Sequence, residues 1–90
     1  MIMKHESHSE IIARLKQAQG QVGSIIAMMA EGRSCLDIAQ QLQAAESIIH
    51  LAKRNLIQDH MEHCIADAAS EGGKAAREAM TEFRTLSKYL

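Results

Sequence analysis

From Arg33 to Glu71 the chain holds neither proline nor glycine. Within that stretch Ile38, Leu42, Ala45, Ile49, Ala52 and Leu56 step alternately by four and three residues, the spacing of one helix face. Leu36, Ala44, Ile48, Leu51 and Ile65 form a second apolar stripe. The pattern predicts one helix over 34–69, roughly 50 Å long at about 1.5 Å per residue. That exceeds the usual helix of about 8–20 residues. With apolar residues on two sides, it needs partners on both.

Two shorter helices are expected around it. Ser9 and Glu10 open a segment in which Ile11, Leu15, Ala18, Val22, Ile25 and Met29 repeat the same alternation, with Ile12 and Ile26 widening the stripe. This predicts a helix over 9–30, ended by Gly32. Gly20 and Gly23 interrupt its propensity and are expected to permit close approach of another helix. Ser34 is suited to cap the central helix, with Asp37 at the third position of a capping box. Ser70-Glu71-Gly72-Gly73 reads as a turn. Lys74 to Leu90 then forms a third helix, with Ala76, Ala79, Phe83, Leu86 and Leu90 on one face. Residues 1–8 read as a flexible N-terminal arm. The expectation is a single all-α domain over 1–90: a three-helix protomer with one very long central helix.

Composition supports this class. The 90 residues include no Pro, no Trp, one Phe and one Tyr, so the core must come from Ile, Leu, Met, Val and Ala. Turn-rich sandwiches and barrels are excluded. The six methionines read as core residues rather than a thioether site. Ten basic against eleven acidic residues give a formal charge of −1. Binding to nucleic acid would therefore depend on a local patch. The best such patch is Arg14 and Lys16 with Lys53 and Arg54. No apolar run is long enough for a membrane span, and the N-terminus lacks a signal-peptide core, so a cytoplasmic location is expected. There, two cysteines are reduced ligands or reactive thiols rather than a disulfide. No nucleophile, base and oxyanion-donor set is apparent, so an enzyme is not expected.

The chemistry concentrates in Cys35, His60 and Cys64. His60 and Cys64 lie four residues apart and share a helix face. Cys35 stands 25 residues before His60, or roughly 37 Å along a helix. One chain cannot bring them together. An antiparallel pairing of the central helix with its own copy can. Position numbers of facing residues then sum to between 95, for Cys35 with His60, and 99, for Cys35 with Cys64. The two-fold axis passes near Ile48 and Ile49, which are apolar as a self-complementary patch requires. Two thiolates and an imidazole suit monovalent copper, Cu(I), or zinc or nickel with a fourth ligand. His63 can compete on the same turn, and Met3, His5 and His8 can supply further donors. His50 reads as a surface or interface residue.

These motifs resemble the CsoR/RcnR family of bacterial metal- and thiol-responsive repressors. The features that carry the resemblance are Arg14-Leu15-Lys16-x-x-x-Gly20-Gln21-Val22, Cys35, Gln40-Gln41-Leu42-x-Ala44 and His60-Met61-Glu62-His63-Cys64. It spans Glu10 to Leu90. The resemblance implies an antiparallel dimer that assembles into a flat tetramer. It implies a repressor that binds GC-rich double-stranded operator DNA in the apo form, and releases it when ligand binds between subunits. The Cys-His-Cys set implies the copper branch, with Cys35, His60 and Cys64 as metal ligands and Arg14 and Lys16 at DNA. Copper members often carry a Tyr before the first ligand Cys and a Glu in the third helix, both bonded to the ligand His. Here those positions fall at Ser34 and near Ala79, flanked by Glu78 and Glu82. A sensor of Ni(II) or Co(II), of Zn(II), or of persulfide on the same scaffold is the alternative. A helical metal-binding protein with no DNA role is the more distant one. Ile2, where the formaldehyde-sensing branch has Pro, argues against that branch.

Overall fold

The structure, a computed structural model, describes residues 8–90, except for the side chains at 64, 65 and 67–71. Three helices follow one another: α1 (His8–Ala30), α2 (Cys35–Glu71) and α3 (Gly73–Ser87). No strand occurs among the described residues. The fold is all-α. His8, expected in the arm, is instead the first residue of α1.

The α1–α2 junction forms for local reasons. Gly32 adopts φ 73°, the left-handed conformation a helix stop requires. The Gly32 N–H then bonds the Met29 carbonyl at 3.2 Å, and the Arg33 N–H bonds the Met28 carbonyl at 3.0 Å. This is a Schellman closure, which satisfies carbonyls that the helix end would otherwise leave bare. Two residues later Ser34 Oγ accepts the Asp37 N–H at 3.1 Å and caps α2. Asp37 also meets Arg33 at 3.6 Å across one turn. The chain reverses and α1 runs back along α2. Gln21 Nε2 donates to Gln41 Oε1 at 3.3 Å between the two helices.

The α2–α3 junction is tighter than the expected four-residue turn. Only Gly72 separates the helices, and Gly72 and Gly73 have φ 68° and 54°. Both values are in the region that side chains disfavour.

α2 is the spine. Its 37 residues span roughly 55 Å, close to the longest dimension of the chain, 59 Å. α1 and α3 each pack on α2, and not on each other among the described residues. The radius of gyration is 17.9 Å, against about 12 Å for a compact chain of this length.

The core is correspondingly thin. Ile11, Ala18 and Ile25 of α1 recur every seven residues and are buried against α2, where Ala45 and Ala52 answer them. Ile57 is buried about 140° around α2 from Ala52, away from the side that α1 covers. No described side chain is completely enclosed. Meanwhile Leu42, Ile49 and Leu56 of α2 are 51%, 48% and 43% exposed. Ile12, Leu15, Val22, Ile26 and Met29 leave a second stripe open on α1. Burying one such side chain yields about 1.5–3 kcal/mol, so these stripes carry a large unrealised stabilisation. Among the described residues of the protomer, Gly20 and Gly23 mark no close approach. A Cβ added at either would meet nothing within 4 Å.

Candidate metal centre and nucleic-acid interface

Cys35 is the first residue of α2, a free and exposed thiol. His60 lies on the same side of the helix, within about 20° of Cys35 by helical rotation, and Leu42, Ile49 and Leu56 line the strip between them. One protomer does not bring the two together. Among the described residues no group of three His, Cys, Asp or Glu side chains converges as a metal site. Cys64 belongs to α2, one turn beyond His60, but its side chain lies outside the described residues. Met3 and His5 also lie outside them.

His60 is held from α3. Its Nε2 donates to Glu82 Oε1 at 2.7 Å, with His60 half-buried. The carboxylate therefore comes from Glu82, one of the two glutamates that flank Ala79. With only Gly72 between the helices, α3 turns straight back over α2 and brings Glu82 to His60. Ser34 lies at the opposite end of α2 from His60, roughly 39 Å along the helix, where its hydroxyl caps α2.

His63 is positioned differently. Its Nδ1 donates to the Asp59 backbone carbonyl at 2.8 Å and sits 3.3 Å from Asp59 Oδ1. It is thus tied to its own preceding turn. Three residues rotate it about 60° from His60, toward the α1 side of α2.

Within each helix the four cations expected at DNA turn in different directions. Arg14 is half-buried and Lys16 exposed, and two residues on a helix place them about 160° apart. Lys53 and Arg54 are both exposed, about 100° apart. Lys53 lies on the strip that holds Cys35 and His60, whereas Arg54 points away from it. None of the four is in an ion pair among the described residues.

A basic surface that the sequence reading missed lies on α3. Lys74, Arg77, Arg84 and Lys88 fall within about 80° of one another, opposite Ala75, Ala79 and Leu86, which are half-buried on the α2 side. Their spacing of three, seven and four residues was the available signal. An open groove of about 520 Å³ joins Lys74, Arg77 and Thr81 to Glu78 and Glu82, so the basic stripe adjoins the carboxylate that grips His60.

Comparison with known proteins places this arrangement. Residues 7–87 match the family described as metal-sensitive transcriptional repressor. The chain belongs to this family. The copper-sensing transcriptional repressor CsoR of Bacillus subtilis is 34% identical over 96% of this chain and 90% of its own. The copper-sensing repressor RicR of Mycobacterium tuberculosis is 35% identical over 77% of this chain and 72% of its own. The Cu(I)-bound CsoR of Geobacillus thermodenitrificans superposes with a TM-score of 0.84 at 29% identity, covering 98% of this chain and 91% of that one. The nickel-responsive regulator InrS superposes with a TM-score of 0.83 at 25% identity, covering all of both chains. Members of this family repress transcription and are not enzymes. No helix of the described residues is long and apolar enough to cross a membrane.

Proposed function

We propose that this chain is a cytoplasmic copper-responsive repressor. It holds operator DNA in the apo form and releases it when Cu(I) binds between subunits, on Cys35 of one protomer with the partner's His60 and the partner's Cys64. The observation that carries the reading is the His60–Glu82 bond, 2.7 Å between α2 and α3. A ligand histidine characteristically donates its other ring N–H to a carboxylate, which fixes the ring and raises its basicity. With Nε2 committed to Glu82, the ligand nitrogen would be Nδ1.

The donor set fits the ion. Monovalent copper is a soft acceptor, and two thiolates with one imidazole offer it a trigonal site. An antiparallel α2 pair buries Leu42, Ile49 and Leu56, all exposed in the protomer. It places each Cys35 against the far end of the partner helix. The remaining stripe of Ile12, Leu15, Ile26 and Met29 on α1 is suited to join two dimers as a flat tetramer. His63 is held by Asp59, so it serves at most as an accessory donor, alongside Met3 and His5 of the arm.

Glu82 couples the site to DNA. It sits on the helix whose outward stripe carries Lys74, Arg77, Arg84 and Lys88, and any reorientation of His60 is passed to that helix. Arg14, Lys16 and Arg54 supply further cations for phosphate. The coupling is reciprocal: a metal that weakens DNA binding binds the DNA complex more weakly by the same factor.

Likeness to InrS favours a second reading, Ni(II) as inducer on the same scaffold. An anaerobic Cu(I) titration against a competing chelator separates the two. The copper reading expects one tightly held ion per chain, lost in Cys35→Ala and in Cys64→Ala. Weak binding by the unmodified chain, with tight Ni(II) binding in its place, overturns it.

A further inference from the structure

We infer that Glu46 of one protomer pairs with the partner's Lys53, twice across the two-fold axis, and that these pairs set the register in which the metal ligands meet. The inference rests on the antiparallel dimer proposed above and deepens it.

The argument starts from two rows on α2. Leu42, Ile49 and Leu56 recur every seven residues and are exposed. Beside them Ala39, Glu46, Lys53 and His60 recur at the same interval, on the flank away from α1. Glu46 and Lys53 are exposed, and neither joins an ion pair among the described residues. They cannot pair with each other in one chain, since seven residues separate them by roughly 10 Å along the helix.

In the antiparallel register where facing numbers sum to 98 or 99, Cys35 meets the partner's Cys64. Leu42 then meets the partner's Leu56, and Ile49 meets its own copy. In the flanking row, Ala39 leaves room beside the partner's His60, and Glu46 meets the partner's Lys53. One register thus matches apolar to apolar, ligand to ligand and acid to base.

The apolar row alone does not select that register. Slide one helix by seven residues in one direction and Ile49 faces the partner's Leu42, still apolar on apolar, but Glu46 now faces its own copy. Slide it the other way and Ile49 faces the partner's Leu56, while Lys53 faces its own copy. Both slips separate Cys35 from the partner's His60 and Cys64. Like charges across the seam penalise both, as flanking charges do in coiled coils. Lys53 therefore belongs to the subunit interface rather than to the DNA surface, while Arg54, about 100° around the helix, is free of that seam.

Charge exchange tests this, read by sedimentation equilibrium and, with one chain mass-tagged, by native mass spectrometry. Glu46→Lys and Lys53→Glu should each weaken self-association about tenfold at low salt, because two flanking pairs turn from attraction to repulsion. The loss should shrink at high salt. Mixed in equal amounts, the two single variants should form the mixed dimer in preference to either homodimer. The doubly exchanged chain should recover both self-association and one Cu(I) per chain. Circular dichroism checks that every variant remains helical.

A double variant no better than the singles, or a mixture with no preference, overturns the pairing. So does a Lys53→Glu chain that dimerises normally and loses only DNA affinity. These outcomes differ from failure of the functional reading, in which the unmodified chain stays monomeric or takes up no copper.

Discussion

The Glu82 carboxylate reaches back over the α2–α3 turn to hold His60 Nε2 at 2.7 Å. Twenty-two residues separate them in sequence, and the bond is the closest polar link described between the two helices.

Removing it should disturb binding without unfolding the chain. Both partners are partly exposed, His60 at 26% and Glu82 at 50%, so little packing is lost in Glu82→Ala. Copper affinity is expected to fall roughly 10–100-fold, the usual effect of deleting a residue that orients a metal ligand. Competition titration reads the affinity and far-UV circular dichroism reads the fold. Unchanged affinity would assign the bond a purely structural role.

The α1–α2 junction makes a second, independent prediction. Ser34→Ala removes the hydroxyl that accepts the Asp37 N–H and should cost about 1 kcal/mol, while Ser34→Asp should restore it. Gly32→Ala should cost about 1–2 kcal/mol through its φ of 73° alone, because nothing lies within 4 Å of the added Cβ. Urea denaturation at fixed protein concentration measures both.

Ile49 should behave as a contact residue although it is 48% exposed in the protomer. On a solvated face Ile49→Asp would change stability by only about 0.5 kcal/mol. At a two-fold axis it places two carboxylates in apolar contact, and light scattering should then report monomers. A variant that remains oligomeric would remove α2 from the interface.

The outward stripe of α3 is expected at DNA. Each phosphate contact contributes about 0.9 to the slope of log affinity against log salt. Arg77→Ala with Arg84→Ala should flatten that slope by roughly two for each protomer that touches the duplex. Anisotropy of a labelled GC-rich duplex, titrated at several salt concentrations, measures it. If the slope is unchanged while Arg14→Ala with Lys16→Ala flattens it, DNA lies on α1 instead.

Much of this architecture was legible because its determinants are local. Gly32 stops α1 and Ser34 starts α2 through bonds within a few residues, so side-chain type and position announced them. The length of α2 followed from the absence of any breaker between Arg33 and Glu71. The carboxylate at His60 could be placed from sequence only near Ala79, between Glu78 and Glu82. Its position depends on how α3 lies over α2, which two successive left-handed glycines decide. Lys53 and Arg54 read in sequence as part of one basic patch. They are neighbours in the chain, but helical rotation turns them to different surfaces. Gly20 and Gly23 suggested a close contact that none of the described residues of the same chain provides.

The thin core has a consequence for how this protein behaves in the test tube and the cell. With only Ile11, Ala18, Ile25, Ala45, Ala52 and Ile57 buried among the described residues, much of the apolar content of α1 and α2 is left for the proposed partner chain. In the proposed assembly folding and association draw on the same free energy, and the melting temperature should rise with protein concentration. Dilution acts on such a chain as a mild denaturant.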